Sequence, residues 1–469
     1  MAPVLAAPWG AAVSRPALDD AMTGATSFPQ RVFQVVWSFE RFGGLERHLT
    51  ELALALAERG TEVLVFTETA ADPQNAYVQR LRTAGITVSG ATAAAAIAER
   101  VGRLPLGPMR GFLGGAARVL RAGLTAMQPP ASGSPSETTS SAPVPRSGGD
   151  PSILHILTQR HHHPVTVDLF ARLDAATAAG RPDVVHVHGT QLRQSWVVAW
   201  AAARGLSSMY TEHVTIDEWG GPTDSTAVAT MIAHAGVIAC VSDRARQSAV
   251  RTLQGARDVA VVRHIVAGGS AAPPIRTHGP LHVVCIARLE RYKGIDVLLH
   301  ASATARLAGV DFRLQLAGDG SERKALMTLA QTLGLTDVVF LGALAPSAVA
   351  TALHAADVMV LPSRGEGLPV AIVEAMANGR PVLATRAGGT GELVQDGVTG
   401  LLVDPERPDQ LAEALARLAA DRPGLQRMAD AARRAWEVGG WSPDAARTQV
   451  TALYREAALI ARRSANTSR

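Results

Sequence analysis

Apolar residues fall along this chain in short runs separated by stretches that are apolar on one helical face. Residues 31–37 form a β-branched and aromatic run, and a glycine pair, Gly43-Gly44, follows it. Beyond the glycines, Leu49, Leu52, Ala53 and Leu56 recur at helical spacing up to a stop at Gly60, and a second apolar run occupies 62–66. Run, turn, amphipathic helix and run make a βαβ unit, which commits its strands to a parallel sheet. The pattern resumes at 183–189, 208–213 and 237–242. After a Pro/Gly-rich break at 268–280 a second series begins, with strands expected from near Leu281, Arg313, Val338, Val358 and Val382. The chain is therefore expected to be α/β, with two Rossmann-like doubly wound domains facing across a cleft between their strand C-terminal ends. The first is expected over 30–267 and the second over 281–440. Residues 441–469 supply a helix, roughly 442–462, that crosses back to the first domain, and then a tail.

Two stretches do not follow the pattern. Residues 1–29 are rich in Ala, Pro and Ser without period and read as a disordered tail, and 128–151, dense in Pro, Ser, Gly and Thr, reads as a flexible insertion. Between the sheet pattern and that insertion, 91–127 sets Arg100, Arg103, Arg110, Arg118 and Arg121 among small apolar residues. That spacing permits amphipathic helices and leaves peripheral contact with the inner membrane face open, although Gly and Pro interrupt it.

Composition narrows the function. In 469 residues, 47% are hydrophobic and 18% charged, ample for two packed cores, and the net charge is only +4. The basic residues are scattered, which gives no nucleic-acid footprint. Almost all are arginine; lysine occurs only at Lys293 and Lys324. Cys240 and Cys285 sit in apolar runs and read as core residues of a reducing compartment. The N-terminal residues lack a basic region before their apolar ones, and no run reaches membrane-span length, so the expected location is the cytoplasm.

The chemistry concentrates in the second series. Residues 357–362 read as a buried strand, and Ser363-Arg364-Gly365-Glu366-Gly367-Leu368 leads from it into a helix carrying Glu374. A strand–turn–helix unit offers backbone N–H groups to a phosphate, with Glu366 at its mouth and Glu374 about two turns into the helix. A ligand with a central phosphate and hydroxyl-rich sugars at both ends, a nucleotide-sugar, suits that arrangement. Arg288 ends the first strand of the second series and Lys293 precedes a helix, so both can neutralise a departing diphosphate. A solvated loop is the plain alternative; a lysine kept in a chain that otherwise uses arginine favours the site. Gly43 and Gly44 allow close ligand approach or make an ordinary turn. His213 ends a strand facing the cleft, and His186 and His188 share one strand face. Gly318-Asp319-Gly320 lacks the last glycine of a dinucleotide fingerprint, where Arg323 stands; the adjacent His161, His162 and His163 read as a solvated loop. Neither lysine is followed by Ser or Thr, so there is no Walker loop, and no Asp-x-Asp pair suggests a metal.

In this order, Ala287-Arg288-Leu289, Lys293-Gly294, Gly318-Asp319-Gly320, Phe340-Leu341-Gly342, Leu361-Pro362-Ser363, Glu366-Gly367, Glu374-Ala375-Met376-Ala377 and Gly388-Gly389 make the chain resemble the retaining glycosyltransferases of family 4, with the GT-B fold. The resemblance runs from about 31 to 440. It implies Arg288 and Lys293 on the donor diphosphate, Glu366 on the transferred sugar and His213 near the reaction centre. It further implies donor-binding roles for Gly43, Gly44, Gly320, Leu341, Gly367, Leu368 and Glu374, the last on the ribose. It implies no cofactor and no metal, a UDP- or GDP-sugar as co-substrate, and a hydroxyl acceptor: a glycan, a small molecule or a lipid-linked group. The chain departs from the family where a Pro-Asn-Gly turn is usual; here the stretch is Val262-Arg263-His264-Ile265-Val266. A pseudo-glycosyltransferase, a sugar-nucleotide epimerase or a non-catalytic sugar-nucleotide-binding subunit are the alternatives on the same architecture. A pyridoxal phosphate phosphorylase is disfavoured, because its aldimine needs a lysine and only Lys324 is spare.

Overall fold

The computed structural model describes residues 28–39, 43–92, 164–218, 223–266, 268 and 272–467. The expected tail up to residue 27, the arginine-bearing stretch from 93, the insertion 128–151 and His161 to His163 lie outside the described residues.

Two all-parallel sheets organise the rest. The first has seven strands, β1 (Arg31–Val36), β2 (Glu62–Thr67), β3 (Thr87–Ser89), β4 (Val184–Gly189), β5 (Ser208–Glu212), β6 (Val237–Cys240) and β7 (Val259–Val261), in the order β3-β2-β1-β4-β5-β6-β7. The second has six, β8 (Leu281–Ile286), β9 (Phe312–Ala317), β10 (Val339–Gly342), β11 (Val358–Leu361), β12 (Val382–Thr385) and β13 (Gly400–Val403), in the order β10-β9-β8-β11-β12-β13. Each order reverses once, between β1 and β4 and between β8 and β11. Such a reversal opens a crevice at the strand C-terminal ends, where ligands bind in doubly wound folds. Strands β3, β7 and β13 were not expected from the sequence.

Strand alternation explains why both sheet faces are buried. In β1, Val32 and Val36 join one core with Leu49, Leu52 and Leu56 of the helix α1 (Gly44–Ala57). Phe33 and Val35 join the opposite core with Phe66, Trp196 and Trp200. In β8, Leu281, Val283 and Cys285 face one core and Val284 the other. Cys240 and Cys285 are buried free thiols.

The helix Pro443–Thr467 packs on the first domain. Ala446, Val450, Leu453, Tyr454 and Ala457 enter the core that holds α1. Gln449 Nε2 donates to the Val261 carbonyl at 2.6 Å, and Tyr454 Oη shares a 2.8 Å hydrogen bond with His186 Nδ1. Among the described residues, no helix is long and apolar enough to cross a membrane.

Candidate active site

The two crevices face each other and form one cleft of about 1260 Å³. On the second-domain wall, β8 runs out into Arg288 and a short turn, Arg291–Lys293, while β11 runs out into Ser363 and Glu366. The two loops are fastened together. Arg364 donates from its backbone to the Tyr292 carbonyl at 2.8 Å, and its guanidinium grips both Asp296 oxygens at 2.8 Å. Gly294, at φ 65°, lies so close to β11 that a Cβ there would stand 2.1 Å from the Pro362 carbonyl oxygen, so this approach requires glycine.

Within this frame Lys293 Nζ lies 2.5 Å from Glu366 Oε1, which also accepts from Ser363 Oγ at 2.6 Å. The Lys293 ammonium sits 5.0 Å and the Arg288 guanidinium carbon 5.3 Å from the Tyr292 ring centroid, and Arg288 also hydrogen-bonds the Tyr292 hydroxyl. An aromatic ring in contact with both cations offsets part of their mutual repulsion and keeps both beside the cleft. Glu374 lies on the helix Val370–Ala377, one turn from its start rather than two, because the helix begins only after Pro369. Its carboxylate is ion-paired with Arg47 of α1, across the cleft. A sugar diol at Glu374 would therefore share that carboxylate with a cation from the other domain.

The domains also meet through backbone. Thr215 Oγ1 donates to the Glu366 carbonyl at 2.9 Å and Ser242 Oγ to the Gly367 carbonyl at 3.1 Å. The Glu392 carboxylate accepts from Asp243 N at 2.9 Å and Arg244 N at 2.7 Å, at the N-terminus of the helix Asp243–Thr252, where a negative charge is favourable. A Cβ on Gly367 would stand 2.1 Å from the His213 carbonyl oxygen, so the loop at Gly367 and the His213 segment touch with no room for a side chain.

The first-domain wall carries a feature the sequence reading did not assemble. His48 of α1, His186 and His188 of β4, His213 just after β5 and His264 after β7 are all buried and cluster at the base of the cleft. His213 Nε2 lies 3.2 Å from His188 Nδ1, and its Nδ1 lies 3.4 Å from His264 Nε2. His264 and His213 stack with ring centroids 5.6 Å apart, and His48 lies 4.9 Å from the His264 centroid. Burial pulls His48 down to about 4 and holds His186, His188, His213 and His264 well below the usual imidazole range, with neighbouring imidazoles reinforcing the shift in the last four. At neutral pH the cluster is uncharged. Both ring nitrogens of His213 thus face other imidazoles, and the residue lines the cleft without a ring nitrogen aimed into it. No group of three or more His, Cys, Asp or Glu among the described residues has the geometry to hold a metal.

Beside the cluster, Gln191 and Leu192 adopt left-handed backbone at φ 54° and 57°. The buried Glu212 carboxylate holds them there by accepting from Gln191 N at 3.0 Å, Leu192 N at 2.9 Å and Val214 N at 3.2 Å. Burial pushes the Glu212 carboxyl up to about 8 against the pull of these N–H groups.

Of the residues singled out from sequence, Gly43, Gly44, His213, Arg288, Lys293, Gly320, Glu366, Gly367, Leu368 and Glu374 all line this cleft. Leu341 does not. On the edge strand β10, Phe340 turns to the core and Leu341 to the opposite face, where it is exposed, and the cleft is lined by Ala343 and Leu344 just beyond. Lys324 lies exposed on the helix Arg323–Thr332, away from the lining.

Two doubly wound domains closed over a cation-bearing cleft define the GT-B class of glycosyltransferase. The glycosyl transferases group 1 family matches residues 273–435. The chain is 30% identical over 318 residues to a D-inositol 3-phosphate glycosyltransferase of Corynebacterium aurimucosum, covering 59% of this chain and 72% of that one. It is 33% identical over 178 residues to an alpha-D-kanosaminyltransferase of Streptomyces kanamyceticus, covering 38% of this chain but only 46% of the relative, so it spans about half of that protein's length. Among solved structures, Anabaena HepE in complex with UDP and glucose superposes with a TM-score of 0.65 at 20% identity, over 90% of this chain and 98% of that one. Sucrose-phosphate synthase from Thermosynechococcus elongatus likewise gives 0.65 at 20% identity, over 91% and 98%. The chain belongs to the group 1 glycosyltransferases.

Proposed function

We propose that this protein transfers a sugar from a nucleoside diphosphate sugar to a hydroxyl acceptor with retention of anomeric configuration and without a metal ion. The observation that carries the reading is the Arg288, Tyr292, Lys293, Glu366 constellation at the switch point of the second domain. Arg288 and Lys293 receive the diphosphate as negative charge grows on it, which lowers the barrier only because they are already in place. Glu366, held by Lys293 and Ser363, accepts hydrogen bonds from the transferred sugar, and Glu374 accepts from the ribose. The anomeric carbon–oxygen bond to the diphosphate breaks as the acceptor oxygen bonds the same face of that carbon. The acceptor proton passes to the departing diphosphate oxygen, so no side-chain base is required. This fits a cleft in which His213 has both ring nitrogens turned toward other imidazoles.

A UDP- or GDP-sugar is the proposed donor, in line with the UDP bound by the HepE structure. The test is to supply UDP- and GDP-sugars with and without an acceptor panel. Nucleoside diphosphate release and the anomeric configuration of the product are measured with EDTA present throughout. Acceptor-dependent release with a retained anomer is expected. An inverted product, or activity that needs Mg²⁺ or Mn²⁺, overturns the mechanism. Binding without release points to the non-catalytic alternative, and an altered donor sugar to an epimerase.

A further inference from the structure

We propose that the first-domain wall of the cleft is an acceptor site for a hydroxylated six-membered ring, a pyranoside or a cyclitol, with the indole of Trp37 as its stacking face. The proposal rests on the transferase reading above. Trp37 follows β1 at the switch point of the first domain, opposite the diphosphate wall, and its carbonyl is fixed by Glu68 N at 3.0 Å and Thr69 N at 3.1 Å. It is 42% exposed, and among the described residues no other tryptophan, tyrosine or phenylalanine is exposed. A large indole left open inside a cleft is a feature to explain, because burial is its ordinary state. The negative face of the ring complements the axial C–H bonds of a sugar or cyclitol, whose hydroxyls then point outward around its rim.

The polar groups for that rim stand on the same wall. Ser38, Thr190, Arg193 and Gln194 line the cleft, and Arg193 is exposed with its guanidinium held by Gln191 Oε1 at 2.6 Å. Arg193 supplies several donors in a fixed plane, and Gln194, whose Oε1 accepts from Thr190 N at 3.4 Å, adds amide N–H donors for ring hydroxyls. Glu212 pins the left-handed turn that carries them, so the set is pre-positioned. Among the described residues, Trp37 is the one exposed large apolar side chain lining this wall, a single ring face rather than a continuous apolar track.

The whole 469-residue chain, with and without UDP or GDP, is titrated with methyl hexopyranosides and myo-inositol, following tryptophan emission and calorimetric heat. At least one ring is expected to bind saturably and change the emission. Trp37→Ala should abolish the emission change and weaken ring binding by about tenfold or more, and Trp37→Phe should retain part of it. The same variants are titrated with nucleotide. Absence of nucleotide binding in the wild type counts against the donor site and leaves the ring measurement standing. Ring binding unchanged in Trp37→Ala, no binding by any ring, or binding that appears only when octyl glucoside replaces methyl glucoside overturns the proposal.

Discussion

His48 carries a titration that stability measurements can read. Its ring is fully buried on α1, neither ring nitrogen has a hydrogen-bond partner among the described residues, and burial lowers its pKa from 6.5 to about 4. The fold keeps His48 neutral where the unfolded chain protonates it. The associated stability is complete above about pH 6.5, falls by roughly 1.4 kcal/mol per pH unit below that, and levels off near pH 4. The drop from 6.5 to about 4 sets a ceiling of roughly 3 kcal/mol. His48→Leu removes the proton and the two unpaired nitrogens while keeping similar bulk, so at pH 7.5 the variant should be at least as stable as the wild type. Between pH 7.5 and 5.5 the difference in unfolding free energy should move in its favour by about 1.4 kcal/mol, measured by urea denaturation at each pH. Glu212 acts in the opposite sense over this window, because its carboxyl is raised, but it is common to both proteins and cancels in the difference. A stability difference that stays constant between the two pH values refutes the reasoning and means His48 titrates alike in the folded and the unfolded chain.

Three further outcomes are expected. Lys293→Ala should fold normally yet lose about 2.7–4 kcal/mol of transition-state stabilisation, a hundredfold or more in kcat; wild-type turnover in a folded variant removes Lys293 from the mechanism. Gly44→Ala would place a Cβ 2.9 Å from Val370 Cγ2 across the cleft, so nucleotide affinity measured by calorimetry should drop by about 1–3 kcal/mol, with Gly44→Ala/Val370→Ala restoring it. Glu212→Ala strands two buried N–H groups and a half-buried one, with the left-handed turn at Gln191 and Leu192, and a loss of about 1–3 kcal/mol should appear as a lower Tm; an unchanged Tm would show that the turn holds itself.

Much of this architecture was legible in the sequence because parallel strands buried on both faces leave continuous apolar runs. β1, β2, β4, β8, β11 and β12 all announced themselves this way. The strands not expected are short: β3 is the three-residue Thr87–Ser89, β7 the three-residue Val259–Val261, and β13 the four-residue Gly400–Val403. The second-domain cluster was also legible, because Arg288, Lys293, Glu366 and Glu374 lie close to strand ends and one lysine stood out among arginines. Leu341 showed the limit of carrying over a motif, since period-two alternation on an edge strand decided which way it faces. The histidine cluster had no local signature. It joins a helix, two strand ends and the segment after β7, and only the sheet order brings them together. One clue was present: His264 is a polar residue inside the apolar stretch Val262 to Val266, at the point of departure from the Pro-Asn-Gly turn. The Arg47–Glu374 pair was invisible for the same reason, since each partner sits in a different domain.

The helix Pro443–Thr467 gives the chain an order of assembly. Its Val450, Leu453 and Tyr454 complete a core whose other walls, β1 and α1, emerge from the ribosome hundreds of residues earlier. The second domain closes its own sheet with β13 before that helix is made. During synthesis the earlier domain therefore waits, with an apolar face and His186 uncovered, while the later one finishes. The domain that begins first is the one that is finished last, and nascent chains are exposed to aggregation or chaperone capture through the α1 face until the helix arrives.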